Sequence, residues 1–313
     1  MNLSQTKCWI PKSEENIAIV ENEKIHKKQL EQLSSPAKIL NWLNTAKTYW
    51  RKTTIKKLEL FIGNEIYGDV MEIGAGTAWC SALLSKKKKV EKVYTLEFDL
   101  FSIEHVMPKV FDALEADTSK IQRVLGSYDD IKLEDNSLDF IVGMGAMHHS
   151  QKLIKTYSEL FRVLKPGGKI LISDPAYTNA LTLKDEYFWR ESKKQDGSKN
   201  KDNGDQKFRL CQWEAHALEV GFEVYPFVFD KTNRLNQLYS YVYGDKIIKK
   251  KKTYNGFSKI ILYPYFGKLN WKLLIKNTLY LKRSVPDHDK LMLILEKPIG
   301  CDYKVMSENV YEN

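Results

Sequence analysis

Cysteine is scarce in this sequence, and long apolar runs are missing from it. The 313 residues include only four cysteines, at positions 8, 80, 211 and 301, and no two of them have the spacing of metal ligands. This scatter argues against a disulfide-stapled domain or a zinc module and favours reduced thiols. No apolar run approaches the length that crosses a bilayer, and the first residues lack the basic-then-apolar pattern of a signal peptide. We therefore expect a cytoplasmic protein without a metal site.

Acidic residues are missing from one long segment, although the chain as a whole has the composition of a soluble globular protein (43% hydrophobic, 28% charged). Residues 246–283 contain eleven Lys or Arg and no Asp or Glu, against a net charge of +9 for the whole chain. Seven aromatic residues lie among these basic ones. The segment therefore favours an acidic partner, and the alternative is a solvated basic face on a small helical subdomain.

A glycine-rich stretch at residues 70–78 is the feature around which the chain is organised. Apolar residues lead to Glu72, then to Gly74 and Gly76, then to the helix-like run 78–85. Glycine permits backbone angles and close approaches that a Cβ would obstruct. A turn of this kind at a helix N-terminus offers amide donors to a ligand. The alternative interpretation is an ordinary tight strand-to-helix connection.

Three further strand patterns make the interpretation of residues 70–78 more specific. Residues 93–97 form an apolar strand that ends in Glu97, at a place where dinucleotide-type sheets hold both ribose hydroxyls with a carboxylate. Residues 138–142 form a strand that runs into Gly143, and the turn Lys165–Lys169 opens a strand at 170–173. Strands that alternate with helices in this way indicate an α/β fold.

Together these residues resemble the class I S-adenosylmethionine-dependent methyltransferases, over roughly residues 68–230. The resemblance implies a doubly wound, Rossmann-like sheet of seven strands in the order 3-2-1-4-5-7-6 with helices on both faces. It also implies S-adenosyl-L-methionine as cofactor, with Glu72, Gly74 and Gly76 at its methionine end and Glu97 on its ribose. The full set of cofactor-binding residues implied is Glu72, Gly74, Ala75, Gly76, Thr77, Glu97, Ser127, Tyr128 and Gly143.

The adenine side departs from the resembling family. Members of the family commonly have an aspartate at the position of Ser127, where it binds the adenine amino group. Three alternatives stay open here: Asp129 substitutes for it, Asp130 does, or Ser127 makes a weaker contact.

The fourth and fifth strands lead to four candidate catalytic residues. The loop after the fourth strand carries His148 and His149, and a neutral histidine there can take a proton during methyl transfer. We prefer His148 slightly, and the alternative is that the histidines only pack the loop. Asp174 and Tyr177 follow the fifth strand in a segment that looks like the Asp-Pro-Pro-Tyr box of nucleic-acid amino-methyltransferases, but that box follows the fourth strand. Substrate contact and simple loop structure are equally favoured for these two residues.

The sequence predicts that the chain divides into five parts. Residues 1–67 are expected to form an N-terminal helical extension, residues 68–230 the cofactor-binding core, and residues 231–289 a basic aromatic insertion. Residues 290–300 are then the last core strand, and residues 301–313 a tail. The polar stretch 192–206 has no periodicity and indicates a surface loop beside the crevice.

Three functions are consistent with these observations. The first is methylation of a small or saccharide-linked anionic acceptor, such as a nucleotide sugar or glycan intermediate. The second is methylation of RNA or another nucleic acid, in which the basic and aromatic residues of 246–283 track phosphates and stack bases. The third is a non-catalytic cofactor-binding or membrane-surface protein with a basic amphipathic segment at 270–283. The intact Glu72, Gly74, Gly76 and Glu97 favour catalysis over the third function.

Overall fold

The computed structural model describes residues 6–9, 31, 33–44, 59, 65–177, 208–229, 238–240 and 288–300. Within these ranges the strands are β1 (Thr6–Cys8), β2 (Gly68–Ile73), β3 (Val90–Glu97), β4 (Ile121–Leu125), β5 (Leu138–Met144), β6 (Leu164–Tyr177), β7 (Glu223–Phe229), β8 (Leu238–Ser240) and β9 (His288–Glu296). The helices are α1 (Pro36–Asn44), α2 (Trp79–Ser85), α3 (Met107–Ala113), α4 (Leu153–Val163) and α5 (Leu210–Val220).

All of these strands belong to one sheet, in the order β1-β4-β3-β2-β5-β6-β9-β7-β8. Strand β9 runs antiparallel to both β6 and β7, and β8 runs antiparallel to β7. The other neighbours are parallel. The strand order expected from the resemblance is confirmed for the seven strands from β4 to β7. Within the described part of the chain the sheet nevertheless has nine strands rather than seven, because β1 and β8 extend its two edges.

Helices cover both faces of the sheet, and successive residues of one strand enter different cores. Along β2, Val70 joins the core under α2 and α3, whereas Met71 and Ile73 join the core under α4 and α5. Side chains alternate across a strand, so a strand covered on both faces is apolar throughout. Glu72 is therefore conspicuous as a charged residue in the middle of a buried strand.

Two expectations about strands and loops are corrected by the structure. The first described segment of the N-terminal extension is a strand, β1, which pairs with β4 instead of forming a helix. Residues 174–177 are part of β6 and pair with β9 up to Tyr177 and His288, so Asp174 lies inside a strand and not in a loop after it. The long antiparallel partner β9 is the physical reason, because it supplies ladder hydrogen bonds beyond the end of β5.

Several predicted segments lie outside the described residues. These are the greater part of the extension 1–67, the polar loop 192–206 and the basic segment 246–283. The five-part division of the chain therefore stays a prediction.

Lys297 fastens the end of β9 to the end of α4. Its ammonium group donates to Asn136 Oδ1 (2.7 Å), Phe161 O (2.9 Å) and Leu164 O (2.8 Å), and the side chain is almost fully buried. Phe161 lies in the last turn of α4 and Leu164 is its C-cap, where a cation is favoured by the helix dipole.

We expect Lys297→Met to lower the free energy of unfolding by about 3 kcal/mol, because two buried carbonyl oxygens and Asn136 Oδ1 lose a charged donor. Denaturant unfolding of the purified protein measures this. Lys169→Met is the matched control: Lys169 pairs with Glu296 at 2.6 Å near the same end of the sheet but is partly exposed, so its loss should cost less than about 1 kcal/mol. Equal effects of the two substitutions would contradict the role given to Lys297.

Candidate functional site

The backbone of the glycine-rich turn after β2 has the conformation that its sequence predicts. Gly74, Gly76 and Ala78 all have positive φ, at 55°, 52° and 55°. A Cβ on Gly74 would lie 2.5 Å from the Cβ of Ala146, so the turn and the loop after β5 approach each other too closely for any side chain there. Gly74 is thus required by conformation and by contact together.

Open space lies above this turn. A Cβ added at Gly76 or at Gly145 would meet no atom within 4 Å. Both glycines also have positive φ, and they follow the carboxyl ends of β2 and β5. Ligands of open α/β sheets bind at that edge. The two turns therefore form a cradle whose floor is bare backbone.

Glu97 closes one side of the cradle at the end of β3. Its Oε2 accepts from Gly76 N at 2.6 Å, and its Oε1 accepts from Phe98 N (2.8 Å) and Asp99 N (3.0 Å). Burial raises the pKa of this carboxyl, and the amide hydrogen bonds oppose that effect. A carboxylate offers about four acceptor positions. Three amides already hold it in place, which leaves acceptor capacity for a hydroxyl of a ligand at the cradle.

Glu72 lies beneath the turn. It is 2% exposed, and its Oε2 accepts from Ser81 N (2.6 Å) and Ser81 Oγ (2.5 Å) in the first turn of α2. Thr95 Oγ1 in turn donates to Ser81 Oγ at 2.8 Å. The structure thus gives Glu72 a role in holding the helix N-terminus, and the expectation that it faces the methionine end of a cofactor stays a prediction.

The carboxyl of Glu72 gives the protein a pH-dependent stability. Burial raises its pKa from 4.5 to about 7, although the hydrogen bonds from Ser81 oppose the shift. Between these values the folded chain keeps a proton that the unfolded chain releases, so the free energy of unfolding falls as the pH rises from about 5 to 7. Glu72→Gln keeps an acceptor oxygen but cannot titrate. We expect the decrease in the free energy of unfolding between these pH values to be smaller by roughly 3 kcal/mol in this variant.

The measurement is denaturant unfolding at a series of pH values. Part of the slope should survive in Glu72→Gln, because burial also raises the pKa of Glu214 to about 7. Glu91→Gln, at an exposed position of β3, should leave the slope as it is. An undiminished slope in Glu72→Gln would show that Glu72 is ionised in the folded protein throughout this range.

The three residues considered for the adenine side, Ser127, Asp129 and Asp130, all make local contacts within the protein. The hydroxyl of Ser127 accepts from Asp129 N at 3.1 Å within its own turn. The carboxylate of Asp129 accepts from Thr156 Oγ1 in α4, and that of Asp130 pairs with Lys132 at the surface. Both carboxylates thus have a partner within the protein, and which of the three residues meets the adenine stays a prediction.

Tyr128 ties the loop after β4 to the loop after β5. Its hydroxyl donates to Ala146 O at 3.3 Å, and its ring lies 4.0 Å from the place of a Cβ on Gly74. Burial raises the pKa of this phenol, so it is a donor at neutral pH. Gly143, by contrast, lies within β5 and is packed against Ile73, so the glycine that borders the cradle in this loop is Gly145.

His148 and Asp174 form a pair on the opposite side of the cradle. Asp174 is 1% exposed, and its Oδ1 lies 2.6 Å from His148 Nδ1. The same carboxylate accepts from His148 N (3.2 Å) and Met147 N (3.4 Å), so it holds the whole turn. A carboxylate at Nδ1 favours the tautomer with the proton on Nδ1, which leaves the lone pair on Nε2.

The pairing was not anticipated from the sequence, although both residues were candidates. They lie 26 positions apart, and only the parallel pairing of β5 with β6, with Met144 opposite Ser173, brings them together. His149 is exposed, and its ring centroid lies 4.0 Å from that of His148. Ala75 is buried and Thr77 partly buried in the glycine turn. The side chain of Tyr177 lies outside the described part of the chain.

The described residues contain neither a metal site nor a helix that could span a membrane. No group of three or more His, Cys, Asp or Glu among them is arranged to hold a metal ion. Of the helices described, none has the length and apolar character needed to span a membrane.

Comparison with known proteins agrees with this geometry. Residues 71–172 match the family model described as a methyltransferase domain. A demethylmenaquinone methyltransferase of Listeria monocytogenes serotype 4a is 28% identical over 161 residues, which are 50% of this chain and 64% of the relative. That of Bacillus mycoides is 26% identical over 140 residues, which are 44% and 56% of the two chains. The chain thus matches somewhat less than two thirds of these relatives' length.

A solved structure shares the fold. Phosphoethanolamine N-methyltransferase 2 of Haemonchus contortus, in complex with S-adenosyl-L-methionine, superposes with a TM-score of 0.52 at 15% identity. The match covers 87% of this chain and 60% of that one. At this identity the similarity concerns the fold alone, and it supports the class I methyltransferase architecture.

Proposed function

We propose that this chain, whose domain and fold are those of the class I S-adenosylmethionine-dependent methyltransferases, methylates a small acceptor whose reacting atom carries a proton. The observation that carries this proposal is the meeting of three features at one edge of the sheet. These features are the bare cradle of Gly76 and Gly145, the anchored carboxylate of Glu97, and the His148–Asp174 pair.

The residues present fit S-adenosylmethionine. Glu97 would hold the ribose hydroxyls, and the bare backbone of Gly76 and Gly145 leaves room for the amino-acid end of the cofactor. When bound there, this cofactor supplies a methyl group that is already activated on a sulfonium. Orientation of the acceptor by the chain should therefore supply much of the rate.

In this proposal His148 accepts the proton that the acceptor loses. Asp174 keeps the proton of the imidazole on Nδ1. Nε2 therefore takes the proton that the acceptor loses when the oxygen or nitrogen of the acceptor bonds to the methyl carbon. The imidazolium that results is stabilised by the adjacent carboxylate and then returns the proton to solvent. Asp174 acts through His148 and is a positioning residue.

The acceptor that we propose is anionic and small or saccharide-linked, as the basic residues of 246–283 suggest. The names of the relatives add demethylmenaquinone and phosphoethanolamine as candidate acceptors. RNA methylation is the second candidate function, because the same segment interleaves lysines with aromatic residues. We propose the cytoplasm as location, since the four cysteines are widely scattered in the sequence and no two of them have the spacing of metal ligands.

The test is transfer of a radiolabelled methyl group from S-adenosylmethionine to a panel of acceptors at low and high salt. The panel contains nucleotide sugars, phosphoethanolamine, demethylmenaquinone and total RNA. Turnover on an anionic small molecule, with a KM that rises with salt, would support the first function. Labelling of RNA alone would support the second, and S-adenosylhomocysteine binding without any transfer would favour a non-catalytic cofactor-binding protein.

A further inference from the structure

The N-terminal strand β1 brings an aromatic residue to the cofactor edge of the sheet. Strand β1 is parallel to β4, with Cys8 opposite Leu125, so it ends at the same edge as β2, β3 and β4. The next residue is Trp9, whose amide donates to Leu125 O at 2.8 Å. The ladder is therefore continued beyond Cys8, and Trp9 is held at the carboxyl end of β1.

The residue beside Trp9 is a glycine, and a side chain in its place would crowd Trp9. A Cβ on Gly126 would lie 3.1 Å from Trp9 Cβ and 3.2 Å from Leu96 Cδ1. Gly126 N also donates to Glu97 O at 3.0 Å. Trp9 is half-buried and packs against the same core as Tyr128. Its side chain thus borders the turn 126–128, which is the turn that lacks the expected aspartate.

The order of the strands decides which part of a cofactor lies there. Glu97 and Cys8 both stand opposite Leu125, so Gly74, Glu97, Leu125 and Cys8 follow one another along the edge of the sheet. The amino-acid and purine substituents leave a ribose from opposite sides of its ring oxygen. If Glu97 holds the ribose and the glycine turn faces the amino-acid end, the purine lies over β4, toward β1. Trp9 is one strand further on, at a strand spacing of about 4.8 Å.

We propose that Trp9 is a cofactor-binding residue that contacts the purine ring of S-adenosylmethionine and replaces the missing carboxylate by an aromatic contact. This inference rests on the cofactor assigned under the proposed function. It also assigns a function to β1. This strand pairs with only three residues of β4, and it places an indole at the adenine side.

The experiment measures binding of three ligands to the full chain by calorimetry. S-adenosylhomocysteine contains the purine, the ribose and the amino acid. Adenosine lacks the amino acid, and S-ribosylhomocysteine lacks the purine. Trp9→Ala should weaken S-adenosylhomocysteine and adenosine about tenfold each, which is within the range for loss of a base–aromatic contact. Its affinity for S-ribosylhomocysteine should stay that of the wild type, and Trp9→Phe should restore most of the loss.

Lys7→Ala is the matched control, because Lys7 is an exposed residue of the same strand. It should change none of the three affinities. Equal weakening of S-adenosylhomocysteine and S-ribosylhomocysteine by Trp9→Ala would overturn the proposal and show that Trp9 only holds the sheet edge. Unchanged adenosine binding would overturn it as well. Failure of the wild type to bind S-adenosylhomocysteine would instead refute the proposed function itself.

Discussion

Glu97→Ala should weaken S-adenosylhomocysteine binding at least tenfold in calorimetry. The carboxylate would make charge-assisted hydrogen bonds to the ribose, each worth about 1.5–3 kcal/mol. The structure adds a second expected effect, because the same carboxylate accepts from Gly76 N, Phe98 N and Asp99 N. Glu97→Ala leaves these three amides without their acceptor, so it should also lower the free energy of unfolding by at least about 1 kcal/mol.

Glu97→Gln separates the two effects. The amide side chain keeps one acceptor oxygen for the backbone and loses the charge that the ribose hydroxyls would meet. We expect it to retain most of the stability and still to bind the ligand more weakly than the wild type. Glu91→Gln, on the exposed face of the same strand, should change neither quantity. Wild-type affinity in both Glu97 variants would mean that the ribose is held elsewhere.

His148→Ala should lower kcat on the true acceptor about a hundredfold, near the low end of the usual contribution of general acid–base catalysis. The sulfonium needs no activation, so a larger effect is not expected. Binding of S-adenosylhomocysteine should be almost unchanged, because His148 is not among the residues that we expect to hold the cofactor.

Two further variants test whether the histidine depends on its partner. Asp174→Asn should lower kcat about tenfold or more, since an amide no longer fixes the proton on Nδ1 or stabilises the imidazolium. His149→Ala is the control, because its ring is exposed and adjacent to that of His148. It should alter kcat by less than about threefold if His148 is the base. Equal losses for the two histidine variants would contradict the assignment of His148 as the base.

The general architecture could be predicted from the sequence because strand and helix periods differ and recur in a fixed order. Buried strands such as β2 and β3 read as apolar runs, and each is followed by turn residues and a helix pattern. The register between strands that are distant in the chain has no such local signal. The extra edge strand β1 has only three residues, which is too short to show a period.

The glycine turn and the carboxylate beside it could be predicted from the sequence, whereas the pairing of His148 with Asp174 could not. Gly74 and Gly76 follow β2, Glu97 ends the neighbouring β3, and their residue types report backbone conformation and charge directly. For Glu72 the structure adds a contact that the sequence did not predict, because its carboxylate accepts hydrogen bonds from Ser81. Whether a strand residue points up to a ligand or down to a helix terminus depends on packing around it.

The sequence by itself determined the class of fold, the glycine turn and the carboxylate at the end of β3, since each of these depends on the conformational limits or charge of one residue and its close neighbours. Only the tertiary structure decided that Asp174 holds His148, that Lys297 fastens β9 to α4, and that Trp9 stands beside Gly126. These contacts join residues that are 26 or more positions apart in the chain. They form only when the strands adopt one register, and that choice is made by burial of the whole sheet between its two layers of helices.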